Sequence, residues 1–135
     1  MEMTVTFPGG ARVDARLGSH IIRTDQPVRG GGNDSAPAPF SLFLASIGTC
    51  AGIYVLGFCN KRGVSTDGIQ IVQRMVPDMR TGLIGRIELD IKVPPEFPEK
   101  YRASLVRSAE LCAVKKHIEQ PPAFQIYTKE VELAT

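Results

Sequence analysis

The sequence predicts one domain that mixes short antiparallel strands with a single long apolar helix. Three observations carry this reading. Strand and turn signals alternate over residues 2–24. Twenty residues, from Phe40 to Cys59, then pass without a charge. Two further strand-like runs follow, joined by a short turn. At 135 residues the chain is one domain long. Folding at this size buries roughly two-thirds of the unfolded surface, enough for a core without disulfides or metal. Hydrophobic residues at 43% against 22% charged exclude disorder, collagen and a coiled-coil rod.

The first elements are hairpins. Met3-Thr4-Val5-Thr6-Phe7 is rich in β-formers and Pro8-Gly9-Gly10 is a turn. Val13 to Leu17 alternates apolar and polar residues, and Gly18-Ser19 turns again before Ile21-Ile22. Residues 25–38 are a loop, punctuated by Asp25, Pro27, Gly30-Gly31-Gly32, Asn33, Asp34 and Pro37. Three successive glycines suit a phosphate cradle. However, neither a following Gly-Lys-Ser/Thr nor a G-x-G-x-x-G is present, so no nucleotide site is expected.

The uncharged stretch predicts one helix near 39–62. Pro39 suits the first helical position, where its missing N–H would have no partner. Gly63 suits the stop, after Lys61-Arg62, which complement the helix C-terminus. Twenty uncharged residues are also about enough to span a bilayer, and Gly48 and Gly52 form a G-x-x-x-G pair. Against a span stand Ser41, Ser46, Thr49 and the glycines at 48, 52 and 57, which dilute the hydrophobicity. A helix apolar all round also describes the centre of a globular core. Ala45, Gly48, Ala51 and Gly52 would admit a close neighbour. The expectation is a core helix and no membrane.

After Gly63, Ile69 to Val76 reads as a strand, and Leu83 to Val93 as another, with Ile87, Leu89, Ile91 and Val93 at period two. Pro77 to Gly82 is the hairpin between them. Pro94-Pro95-Glu96-Phe97-Pro98 ends the pair. A second helical region is expected over 98–118, because Tyr101, Leu105, Ser108-Ala109 and Cys112 share one helical face. Pro121-Pro122 stops it, and Phe124, Ile126 and Thr128 alternate in a final strand.

Lys and Arg total 16 against 14 Asp and Glu, a net charge of +2. No basic run exceeds Lys115-Lys116, so no nucleic-acid partner is expected. The start lacks a basic segment followed by an apolar one, so no signal peptide is expected and the location reads as cytoplasmic. Three cysteines are an odd count for a secreted disulfide framework.

Cys59 follows Cys50 by nine residues, which places it on the opposite side of the helix at about 100° per residue. The two cannot pair within one helix. Cys112 lies on the second helical region, so spacing permits Cys50 and Cys112 to cooperate and leaves Cys59 over. A buried free cysteine also serves commonly as a small hydrophobe, a reading that stays open for all three and is strongest for Cys59. No C-x-x-C or C-x-x-H occurs and His20 and His117 stand alone, so neither metal nor cofactor is expected. His117, five residues after Cys112, falls on the wrong side for a Cys–His pair. If Cys112 opens a helical turn, amide donors lower its pKa, with Lys116 nearby. Cys50 sits too deep in its helix for the N-terminal dipole to reach it. A reactive Cys50 then needs a cation from elsewhere. Arg29 and Arg23, in or beside the glycine-rich loop, are the candidates; each is equally readable as a solvated surface charge.

At these residues the sequence resembles a family. Ala36-Pro37-Ala38-Pro39-Phe40-Ser41-Leu42-Phe43-Leu44-Ala45-Ser46-Ile47-Gly48-Thr49-Cys50 is similar to the helix motif of the OsmC/Ohr family. Glu110-Leu111-Cys112-Ala113-Val114-Lys115-Lys116-His117-Ile118 is similar to its second cysteine motif. The resemblance covers residues 20–130. It implies an α+β fold: antiparallel sheets around a long central helix, in an intertwined homodimer. It implies thiol peroxidase chemistry on organic hydroperoxides, with Cys50 attacking, Cys112 closing a disulfide, and a dithiol, a lipoyl protein for example, reducing it. The family places a Glu directly after the Pro of its P-x-x-L motif to orient an Arg at the thiolate. Here Phe40 holds that place and Ser41 follows, while Arg29 is nearest by spacing for the Arg. The resemblance thus implies a divergent branch with weaker or different peroxide reactivity. A non-catalytic protein holding a small apolar ligand is the alternative on the same fold.

Overall fold

In this computed structural model, which describes residues 1–132, the strand signals of the first third become a three-stranded antiparallel sheet. Its strands are β1 (Thr4–Gly9), β2 (Arg12–Leu17) and β3 (His20–Thr24). β2 lies between the other two, with Val13 opposite Thr24 and Leu17 opposite His20. The glycine-rich segment that follows is pinned from one point. The buried Asp25 carboxylate accepts the Gln26, Asn33 and Ser35 amides at 2.8, 3.3 and 3.0 Å, and the Ser35 hydroxyl as well. The loop is therefore folded back on Asp25, with one 3-10 turn at Val28–Gly30.

Helix α1 spans Pro39–Arg62. Pro39 opens it as expected, and Gly63 closes it in the left-handed region at φ 65°. Ile47, Ala51, Val55 and Phe58 are buried along one side, and Cys59 is fully enclosed. With Phe97 and Leu105 the lower part of this stripe forms the core. The other side is open: Ile53 is 59% exposed and Leu56 39%. By length and composition α1 could cross a membrane.

β4 (Gln70–Pro77) and β5 (Ile84–Lys92) form a separate two-stranded antiparallel sheet, in register from Gln70 opposite Lys92 to Val76 opposite Arg86. Of the strands, β4 makes the main contact with α1. β1 is exposed along its whole length.

The second helical region departs from expectation. It is not continuous over 98–118 but comprises a 3-10 turn (Glu99–Tyr101), α2 (Arg102–Ala109) and α3 (Ala113–Glu119). The chain breaks at Leu111-Cys112, where Cys112 takes φ −47° and ψ 123° and caps α3 by accepting the Lys115 amide at 3.5 Å. The apolar stripe runs across the break, so periodicity alone reads as one helix. The expected final strand at Phe124–Thr128 is also absent; residues 121–132 carry no strand. Alternation chooses which side chains share a face, but a strand forms only where the chain is brought alongside another strand.

Candidate functional site

The α2–α3 segment runs back along α1 in the opposite direction. Tyr101 packs edge-on against Phe58, with ring centroids 5.8 Å apart. Further along, the Ser108 hydroxyl donates to the Tyr54 carbonyl at 3.3 Å. At the far end Cys112 Sγ lies 3.9 Å from the Ile47 carbonyl oxygen. Each contact steps up α1 toward its N-terminus, and the last brings Cys112 level with Cys50. Each thiol influences the acidity of the other, and both are free. Cys50 is partly exposed, whereas Cys112 is buried.

Their surroundings push them apart electrostatically. The Val114 amide is the main influence on Cys50, and with the Cys112 thiol and the Ala113 amide it outweighs burial, so the Cys50 pKa falls below its ordinary value. Hydrogen bonds to a thiolate favour the charged form. For Cys112, burial dominates over the Lys115 amide, and its pKa rises. Cys59 is also raised by burial, which the Arg62 charge only partly opposes. One thiol of the pair thus favours the nucleophilic thiolate and the other stays protonated.

The source of the donors differs from the one that local spacing suggests. The helical turn opening at Cys112 was expected to activate Cys112 itself, and Cys50 to need a cation. Instead the first amides of α3 act across the helix pair on Cys50. Nothing local to Cys50 in the sequence signals this, because the donors arrive from more than sixty positions later.

The arginines lie elsewhere. Arg29 sits exposed in the Val28–Gly30 turn, and Arg23 lies on β3 opposite Asp14, also exposed. Neither is among the groups that shift Cys50 within this chain. Phe40, in the place of the family's Glu, stacks on Phe43 with centroids 5.8 Å apart. These rings mark one end of an apolar groove of about 880 Å³ between α1, the β4–β5 sheet and α2–α3, which Ile47, Ile87, Leu89 and Cys112 also line. Among the described residues no cluster of His, Cys, Asp or Glu is arranged to hold a metal ion.

The family model for OsmC-like proteins matches residues 31–126, from the glycine-rich loop through both cysteine motifs. The chain belongs to the OsmC-like family. No curated protein matches it. Solved structures of OsmC-like fold do. One, described as an osmotic stress induced and detoxification response protein from Psychrobacter arcticus, is 22% identical with a TM-score of 0.70, over 84% of this chain and 85% of that one. The organic hydroperoxide resistance protein OhrB of Bacillus subtilis is 19% identical with a TM-score of 0.51, over 86% and 88%. An organic hydroperoxide resistance protein from Legionella pneumophila is 18% identical with a TM-score of 0.50, over 87% of each chain. At these identities the likeness is one of fold. The helices and small antiparallel sheets form an OsmC-like α+β scaffold, the fold class that the sequence implied.

Proposed function

We propose that this OsmC-like protein is a cytoplasmic thiol peroxidase for organic hydroperoxides. The meeting of Cys50 and Cys112, with the first favoured as thiolate and the second held as thiol, carries the reading. The Cys50 thiolate attacks one peroxide oxygen and the O–O bond breaks. The remaining alkoxide takes a proton and leaves as alcohol, while Cys50 becomes sulfenic acid. Cys112 then attacks the Cys50 sulfur, water leaves, and a disulfide closes. A dithiol such as a lipoyl protein returns both thiols by exchange and is itself oxidised. The peroxide is thereby reduced by two electrons per turn of the cycle.

The same proposal includes a homodimer. Ile53 and Leu56 on the open side of α1, Phe7 on β1 and Phe124 and Ile126 beyond α3 are all exposed. A second copy would cover the helix and offer an edge to the strand-patterned tail. That partner also removes the need for a membrane, and it is the place from which Arg29 or Arg23 would reach Cys50.

The test is to mix fully reduced protein with one equivalent of cumene hydroperoxide and map peptides without reduction. A Cys50–Cys112 disulfide is expected within seconds, and it is lost when either residue is changed to Ser. Unreactive thiols would sink the peroxidase reading. The apolar groove of about 880 Å³ then favours the ligand-binding alternative.

A further inference from the structure

Helix α3 is weakly secured. It has seven residues, and none of them is buried. A helix of that length is marginal on its own in water. Its own bonds run along its axis. The Lys116 amide donates to the Cys112 carbonyl at 3.1 Å, the Gln120 amide to the Lys116 carbonyl at 2.9 Å, and Lys115 pairs with Glu119 at 3.9 Å. None of these fastens α3 to the rest of the molecule. Yet α3 forms part of the wall of the apolar groove, where Lys115, Ile118 and Glu119 line it. The neighbouring α2 is held differently, by the buried Leu105 and by the Ser108 bond to the Tyr54 carbonyl.

What fastens α3 is sulfur. Cys112 Sγ lies 3.9 Å from the Ile47 carbonyl oxygen and 3.5 Å from the Lys115 amide nitrogen. The thiol proton is donated to α1 while the sulfur lone pair accepts from α3, so one side chain ties the two helices. Among the described residues no other hydrogen bond joins Cys112–Glu119 to α1. The Val114 and Ala113 amides favour the Cys50 thiolate, a second tie that also ends on sulfur. A disulfide removes both. Each thiol gives up a proton and an electron, and the sulfurs join. Cys112 then has no S–H to donate to Ile47, and Cys50 has no charge to hold the amides.

We propose that the Cys112 thiol is a redox latch: reduced, it holds α3 against α1, and joined to Cys50 it lets α3 loosen from the wall of the groove while α2 stays in place. Cys112, 2% exposed in the reduced protein, thereby opens to the dithiol that must reduce it. The latch rests on the pairing of Cys50 with Cys112 proposed above, and not on a peroxide as the oxidant.

The test therefore uses diamide, a diazene that takes two electrons and two protons from a pair of thiols and becomes a hydrazine. Amide hydrogen exchange is followed by mass spectrometry in the reduced and the oxidised protein, and peptide mapping verifies the Cys50–Cys112 link. Amides from Lys115 to Gln120 are expected to exchange about tenfold faster after oxidation, as loss of a helix cap implies. Those of α2, β4 and β5 keep their rates. Cys50→Ser should show no change when diamide is added. Cys112→Ala should exchange fast over α3 without any oxidant, and Cys112→Ser, whose hydroxyl both donates and caps, should restore slow exchange. Unchanged exchange over α3 in a protein whose disulfide has formed overturns the latch and leaves the peroxidase reading standing. So does equal acceleration in every element, which is general loosening, or slow exchange over α3 in Cys112→Ala. Failure of diamide to join the two cysteines overturns the latch and the peroxidase reading together. A loosened α3 in a protein that diamide oxidises and cumene hydroperoxide does not would uphold the latch and reject the peroxidase.

Discussion

The side-chain oxygen of Gln73 lies 2.6 Å from where a β-carbon on Gly48 would stand. The amide of the same side chain donates to the Leu44 carbonyl at 2.9 Å, so a β4 residue is fastened to α1 nearly two turns before Cys50. Gly48 is what lets it in. Gly48→Ala is expected to displace the flexible Gln73 side chain and lose that bond, at about 1 kcal/mol. The helix gains about as much from replacing glycine. The net change in the urea midpoint should be small. The signature is coupling: Gln73→Ala should cost stability in the parent and almost nothing in Gly48→Ala. Additive losses would refute the contact.

Gly32 looks alike in sequence and behaves oppositely. A β-carbon there would lie 2.1 Å from the Gln26 carbonyl oxygen and 2.6 Å from the Asp25 carboxylate. A backbone carbonyl cannot swing aside as a glutamine can. Gly32→Ala is expected to destabilise by about 2 kcal/mol or more, read from the same urea curves. A neutral result would mean that the loop does not close on Asp25.

Asp25 carries the pH dependence of that loop. The Ser35 hydroxyl, the Ser35 and Gln26 amides and the Asn33 amide lower its carboxyl pKa from 3.8 to about 2, against the opposing effect of burial. A folded pKa below the unfolded one gives stability that is fully present above about pH 4 to 5 and is lost as pH falls toward 2. Asp25→Asn should remove that part of the acid dependence. The check is the difference in urea midpoint between parent and variant at pH 6 and pH 2.5. It should be large at pH 6 and shrink at pH 2.5.

The three thiols should separate under alkylation. Iodoacetamide near neutral pH is expected to label Cys50 first, because the α3 amides and Cys112 favour its thiolate. Cys112 and the fully enclosed Cys59 should follow slowly. Cys112→Ala removes one donor and should move the midpoint of Cys50 labelling to higher pH. An unmoved midpoint, read by mass spectrometry of the labelled peptides, would show that the two thiols do not interact.

The elements of this protein were legible in its sequence wherever local chemistry decides them. Pro39, Gly63 and the uncharged run between them set α1, and Pro and Gly turns set the hairpins, because caps and turns act over a few residues. The pairing of Cys50 with Cys112 was legible only as a possibility left by spacing and as an implication of the family motifs. Three matters belonged to the tertiary structure. The helix break at Leu111-Cys112 hides within a continuous apolar stripe. The segment at Phe124–Thr128 alternates like a strand, but alternation does not bring it alongside another strand. The amides that favour the Cys50 thiolate come from Ala113 and Val114, and only the antiparallel return of α2–α3 along α1 brings them there. Propensity and periodicity describe a residue's neighbours along the chain, whereas a thiol's acidity depends on what packing places within a few ångströms of sulfur.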